Sequence, residues 1–197
     1  MRLTGGIACG CRLASPGSRA VTRPTSDRVR EALFSILASR VTEAKVLDLF
    51  AGTGALGLEA LSRGAHSAVL VDRSREAHRL MTRNLAHCLK TSRAKILGLD
   101  IRKTSFTTEL IRSLPPGHCF DLVFIDPPYE KNLATTTLKM VENAHILSPD
   151  ALVILEERYT LQPPTLSGST LTLSDHRNYG ETGIWFYSKS SSPDDSA

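Results

Sequence analysis

From Lys45 onward, short apolar runs rich in Val, Ile and Leu recur at 45–50, 68–72, 95–99, 121–125 and 151–155. Helical stretches separate them, most distinctly at 74–89, where Ala77, Leu80, Met81, Asn84, Leu85 and Cys88 share one face and Ser74 can serve as N-cap. Alternating strands and helices imply a mainly parallel sheet with helices on both faces, and the nearly continuous apolar strands agree with burial on both sides. After Glu157 the rhythm changes. Pro163-Pro164 opens a turn-rich region, and two strands near 169–174 and 183–188, with no helix between them, read as an antiparallel hairpin closing the sheet. Ahead of the first strand, 25–39 reads as a helix that starts at Pro24 and Thr25 and carries the stripe Val29, Leu33, Ile36 and Leu37. Residues 1–22, broken by Gly5-Gly6, Gly10 and Pro16-Gly17, read as a small hairpin and a loop. The expected organisation is a hairpin and helix extension over 1–40, an α/β domain over 41–189 and a disordered tail over 190–197.

Charge sharpens this division. Residues 1–30 hold Arg2, Arg12, Arg19, Arg23, Arg28 and Arg30 against a single acid, Asp27, so the segment is +5. The whole of the 197-residue chain is +4, which leaves −1 for the rest. A basic arm on a near-neutral body points to a polyanionic partner, although a solvated basic face gives the same count. No apolar run is long enough to span a membrane and the N-terminus lacks an apolar signal segment, so a cytoplasmic protein is expected. Cys9, Cys11, Cys88 and Cys119 form no CxxC pair, and no His lies at ligand spacing from a Cys pair. Neither a metal nor a disulfide is expected.

The first strand runs into Asp48-Leu49-Phe50-Ala51-Gly52-Thr53-Gly54-Ala55-Leu56-Gly57, in which Gly52, Gly54 and Gly57 satisfy GxGxxG between a strand and a helix. Asp72 follows the second strand, 20 residues after Gly52, where a carboxylate can accept from ribose hydroxyls. Dinucleotides and S-adenosylmethionine satisfy both features; charge separates them. Asp48, Asp72, Asp100 and Asp126 stand at or near the C-terminal ends of four successive strands, the edge where open parallel sheets bind ligands. Unit charges about 4 Å apart interact by roughly 4 kcal/mol at an effective dielectric of about 20. An acidic rim therefore disfavours a pyrophosphate and favours the sulfonium and ammonium of S-adenosylmethionine. On this reading Asp48 faces the methionine ammonium, Gly52 and Gly54 admit the donor, Asp72 holds the ribose, and Asp100 with Ile101 borders the adenine. Phe50, Ala51 and Arg73 complete the donor set.

The fourth strand ends in Asp126-Pro127-Pro128-Tyr129. An exocyclic amine of a base is a poor nucleophile because its lone pair is delocalised into the ring. Acceptors for both of its N–H groups favour the pyramidal nitrogen that attacks. Asp126 and the Pro127 carbonyl can supply them, Pro128 adds rigidity without a competing donor, and Tyr129 can stack on the base. The base must leave its stack to reach such a pocket. With the first and fourth strands adjacent in this topology, donor and acceptor are expected at one crevice.

Together, Arg23-Pro24-Thr25-x-Asp27-Arg28-Val29-Arg30-Glu31, the segment from Asp48 to Ala60, Asp126-Pro127-Pro128-Tyr129 and Gly180-Glu181-Thr182-Gly183 resemble the bacterial RsmD family of 16S rRNA guanine-N2 methyltransferases, from about residue 2 to 188. The resemblance implies a Rossmann-like class I methyltransferase fold with a seven-stranded, mainly parallel sheet. It implies S-adenosylmethionine as donor and N2-methylation of guanine 966 in 16S rRNA, on the assembled small ribosomal subunit, by a monomer. It also places Thr25 near the donor and Arg23, Arg28 and Arg30 near RNA, with Arg2 and Arg12 of the arm as further RNA contacts. Two departures stand out: the arm ahead of residue 2 is short, and Cys9 and Cys11 match no motif. Asp-Pro-Pro-Tyr also suits adenine-N6 and cytosine-N4 methyltransferases, but no stretch between Gly57 and Asp126 is spare for target recognition. A protein-glutamine methyltransferase would give no reason for the basic arm. A nicotinamide oxidoreductase would conflict with the acidic rim, and a non-catalytic RNA-binding module would have no use for Asp126.

Overall fold

The computed structural model describes residues 1–16, 27–128, 133–159, 164, 166 and 168–189. Seven strands form one sheet: β1 (Lys45–Leu49), β2 (Ser67–Val71), β3 (Ala94–Leu97), β4 (Phe120–Ile125), β5 (Leu147–Arg158), β6 (Leu171–Tyr179) and β7 (Thr182–Lys189). Their order is β3-β2-β1-β4-β5-β7-β6. The helices are α1 (Asp27–Leu37), α2 (Ala55–Ser62), α3 (Arg75–Cys88), α4 (Phe106–Arg112) and α5 (Leu133–Asn143). The expected α/β class, the seven-stranded sheet and its antiparallel C-terminal strands are all present. No helix among the described residues is long and apolar enough to cross a membrane. The chain divides into two compact units, Met1–Ile101 and Arg102–Ala197.

In the first unit, β1 pairs with β2 and β2 with β3, all parallel. Strand β1 is buried from Val46 to Leu49, an apolar run interrupted by the buried Asp48. Ala77 and Met81 of α3 pack with Ala51 and Leu70, and Ala94 and Ile96 join them. The Ser74 hydroxyl caps α3 by accepting from the Ala77 N–H. The N-terminal hairpin forms through the Arg2–Arg12 bridge, with Leu3 N–H donating to Cys11 O and Leu13 N–H to Met1 O. It folds over α2, which is why every residue from Leu56 to Ser62 is buried.

Helix α1 differs from its expected stripe. Ile36 is exposed, and the buried set is Arg30, Leu33, Phe34 and Leu37. Leu33 and Leu37 are buried as expected, but the set's i, i+3, i+4, i+7 spacing starts at a cation, so hydrophobicity alone missed Arg30 and included the exposed Ile36.

In the second unit, β4 pairs parallel with β5, β5 antiparallel with β7, and β7 antiparallel with β6. Strand β5 begins at Leu147, ahead of the expected 151; Ser148, Pro149 and Asp150 are at least partly exposed and carry no apolar signal to mark it. Strand β6 likewise runs on past the expected 174. It is an edge strand, its Ser174-to-Tyr179 half is polar and none of those residues is buried. Gly180, with φ of 68°, makes the turn between β6 and β7, and Gly183 leaves room for the Trp185 ring, which a Cβ there would meet at 2.4 Å.

Candidate functional site

The glycine loop is built from left-handed backbone. Gly52 and Gly54 have φ of 55° and 79°, and Phe50, which has a side chain to accommodate, has φ of 61°. A bulky residue held there is strained, and strain of this kind collects at functional loops. Each glycine has its own reason. A Cβ at Gly52 would meet only the Phe50 carbonyl, at 3.9 Å, so this position leaves the backbone open to a ligand. At Gly54 it would press on Leu70 and Met81 at 3.2 Å, and at Gly57 on Leu70 at 2.7 Å. Gly54 and Gly57 thus let the loop and α2 settle onto β2 and α3.

Asp72 organises this loop. Its Oδ2 accepts from Gly52 N–H at 3.0 Å and its Oδ1 from Ser74 N–H at 2.8 Å. A carboxylate has about four acceptor positions, so the half-buried Asp72 keeps capacity for a ribose hydroxyl. Asp48 is placed differently. It is 1% exposed and its Oδ2 accepts from Gly57 N–H at 2.9 Å, capping the first turn of α2. Burial pushes its carboxyl up to about 7, the Gly57 N–H opposes the shift and the neighbouring Asp72 charge adds to it. Asp48 therefore lies beneath the ligand edge rather than on it. Ala51 is buried, with its N–H donating to Val71 O; Arg73 is exposed, Asp100 half-buried and Ile101 buried.

In the second unit, Asp126 directly follows buried Ile125 and is half-buried, Pro127 is buried and Pro128 exposed. The segment thus passes from core to surface within three residues. Tyr129, Thr25, Arg23 and Arg19 lie outside the described residues.

The expected RNA-contacting arginines separate into two groups. Arg2, Arg12 and Arg28 are exposed. Arg30 is 0% exposed, and its placement corrects the expectation that it contacts RNA. Its Nε donates to Glu59 at 3.2 Å and its Nη2 to Asp27 at 3.0 Å and to the Arg2 carbonyl. Burying Asp27 would raise its carboxyl, but the Arg2 N–H and the Arg30 guanidinium outweigh that and hold it below the usual range.

Three features escaped the sequence reading. Glu59, fully buried in α2, accepts from Arg30, from Arg63 Nε at 2.8 Å, and from the Thr4 N–H and hydroxyl, both at 2.8 Å. A lone carboxylate inside an otherwise apolar helix was the available signal. Asn84 of α3 is 1% exposed; its Oδ1 accepts from Ala14 N–H, and its Nδ2 donates to Ala14 O and to Thr53 O of the glycine loop. One side chain thereby ties arm, helix and loop together. The third is a disulfide, Cys11–Cys88, with Cα atoms 5.8 Å apart across 77 residues of sequence. It overturns the expectation of none, because the hairpin carries Cys11 to the last turn of α3, a proximity that spacing cannot show. His87 lies close enough for its ring nitrogen and the two sulfurs to fall within 4.8 Å of one another, but both sulfurs are spent in the bond.

Comparison with known proteins agrees with this architecture. Residues 1–188 match the family described as conserved hypothetical protein 95. The ribosomal RNA small subunit methyltransferase D of Escherichia coli is 37% identical, over 84% of this chain and 79% of the relative. The protein of the same name from Haemophilus influenzae is 33% identical over 95% and 93%. The solved structure of E. coli yhhF superposes with a TM-score of 0.80 at 33% identity, covering 96% of this chain and 98% of the other. Thermus thermophilus TTHA0928 gives 0.77 at 32% identity over 94% and 98%. The chain belongs to the conserved hypothetical protein 95 family, the RsmD family of methyltransferases.

Proposed function

We propose that this protein transfers a methyl group from S-adenosylmethionine to the exocyclic N2 of a guanine in 16S rRNA, guanine 966, in the assembled small ribosomal subunit. The observation that carries the reading is the pairing of two sites in one chain of this family. One is a glycine loop whose open residue, Gly52, is held by the ribose-type carboxylate Asp72; the other is an Asp-Pro-Pro segment leaving a buried strand. The names of the relatives support rRNA as substrate.

The donor supplies an electrophilic methyl on a sulfonium. The loop residues Phe50, Ala51, Gly52 and Gly54 bring backbone close to it, Asp72 accepts from its ribose hydroxyls, and Asp100, Ile101, Arg73 and Thr25 complete its surroundings. Asp48, its carboxyl raised to about 7, supports the loop from below by accepting from Gly57 N–H. At the acceptor, Asp126 and the Pro127 carbonyl accept from the two N–H groups of the guanine amine, turning its lone pair toward the methyl. Pro128 stiffens the segment and Tyr129 stacks on the flipped base. Arg2, Arg12, Arg23 and Arg28 hold the RNA backbone.

Replacing Asp126→Ala should lower kcat by about 10²–10³-fold, the scale for losing one pre-organised hydrogen-bond partner. Calorimetric affinity for S-adenosylmethionine should be retained. Equal loss of turnover and donor affinity would remove Asp126 from the acceptor site. Arg28→Glu should weaken binding of small-subunit particles and flatten its salt dependence.

A further inference from the structure

We propose that the outer ridge of α3, formed by Arg75, Arg79, Arg83 and His87, with Arg12 of the arm facing it across a groove, docks the phosphate backbone of the RNA substrate. The proposal rests on the reading that RNA is the substrate. It adds a surface on a part of the chain outside the basic arm.

The four ridge residues are spaced every fourth position, so they form one row along the helix, with successive members about 6 Å apart at 1.5 Å rise per residue. All four are exposed, as is Arg12. No carboxylate among the described residues forms an ion pair with Arg12, Arg75, Arg79 or Arg83, whereas Arg30 and Arg63 are paired. Glu76 is the one acid in α3, against three arginines and two histidines. This arrangement runs against the helix's own electrostatics. Like charges at i, i+4 repel, and Arg75 at the first position meets the positive end of the macrodipole. Three arginines in a row, kept at that cost without a carboxylate partner among the described residues, suit a polyanion with a regular step between charges.

The groove between arm and helix strengthens the assignment. It encloses about 600 Å³ and is lined by Arg12, Leu13, Ala14, Arg83, Ala86 and His87. Cations line its walls beside apolar surface, so a nucleotide can place phosphate and base against complementary chemistry. The Cys11–Cys88 bond joins the residues next to the lining Arg12 and His87, and Asn84, which also lines the groove, donates to the Thr53 carbonyl of the glycine loop. RNA seated there is held beside the element assigned to the donor.

The test is fluorescence anisotropy of the labelled protein titrated with small-subunit particles across a salt series, comparing wild type with Arg75→Gln/Arg79→Gln/Arg83→Gln and with the matching triple Lys variant. The Gln variant should bind more weakly. The slope of log affinity against log salt should shrink by about 2, at roughly 0.7 for each phosphate no longer neutralised. The Lys variant should keep most of the slope, and calorimetric S-adenosylmethionine affinity should be unchanged in both. If wild type binds with a steep slope that the Gln variant shares, the ridge is not the docking surface, while the RNA reading stands. If wild type shows no salt-dependent RNA binding, or binds polyglutamate equally well, both fall.

Discussion

Arg30 and Arg79 are both arginines on amphipathic helices of the same unit, yet they sit in opposite environments. Arg30, in the segment that holds the chain's excess positive charge, is sealed beneath the N-terminal hairpin against Glu59 and Asp27. Arg79, in the stretch from 73 to 93 that is itself +5, stands exposed in a row of basic residues. Net charge located a basic segment, but its most buried arginine builds structure, and the displayed charge extends onto α3. Counting charges along a chain measures composition; only folding decides which of them face solvent.

The contrast breaks most sharply at the buried end. Glu59→Ala takes from Arg30 its fully buried carboxylate and leaves only the partly exposed Asp27, and removing one partner of a buried pair costs about 3–5 kcal/mol. Chemical denaturation should show a loss of that size; a loss under about 1 kcal/mol would mean that the hairpin opens and hydrates Arg30 at little cost.

Asp48 gives a middle-sized test, because its carboxyl is raised from 3.8 to about 7. The folded state then holds a proton that the unfolded chain has released, so this contribution is complete below about pH 4 and is lost as pH rises through about 7. Asp48→Asn retains an acceptor for Gly57 N–H and does not titrate. Relative to it, wild type should lose stability between those limits, on the order of a few kcal/mol, and parallel pH profiles would show that Asp48 is ionised throughout. The smallest effect belongs to the exposed row, where Arg79→Ala should change stability by less than about 0.5 kcal/mol. A larger loss would show that the ridge is part of the packing.

Much of the fold was legible because burial follows periodicity. The runs that became β1, β2 and β4 are mostly apolar, broken inside the strand only by Asp48 and Asp121, and the 74–89 pattern became α3 with Ser74 at its cap. Legibility failed where polar residues do structural work. The buried face of α1 includes Arg30 and leaves Ile36 exposed, and the polar half of edge strand β6 carried no apolar signal. The site shows the same division. The glycines and Asp72 stand in a local motif, and the structure joins them by a hydrogen bond. Glu59, Asn84 and the Cys11–Cys88 bond depend on contacts across 29 to 77 residues, which no local pattern encodes.

The central claim is tested most directly by mass spectrometry of nuclease-released oligonucleotides from 16S rRNA of cells with the intact gene, without it, and with it restored as the Asp126→Ala variant. N2-methylguanosine at position 966 should be present in the first and missing from the other two. Loss of methyladenosine or methylcytidine instead, or an unchanged guanine methyl in the deletion strain, would contradict the account.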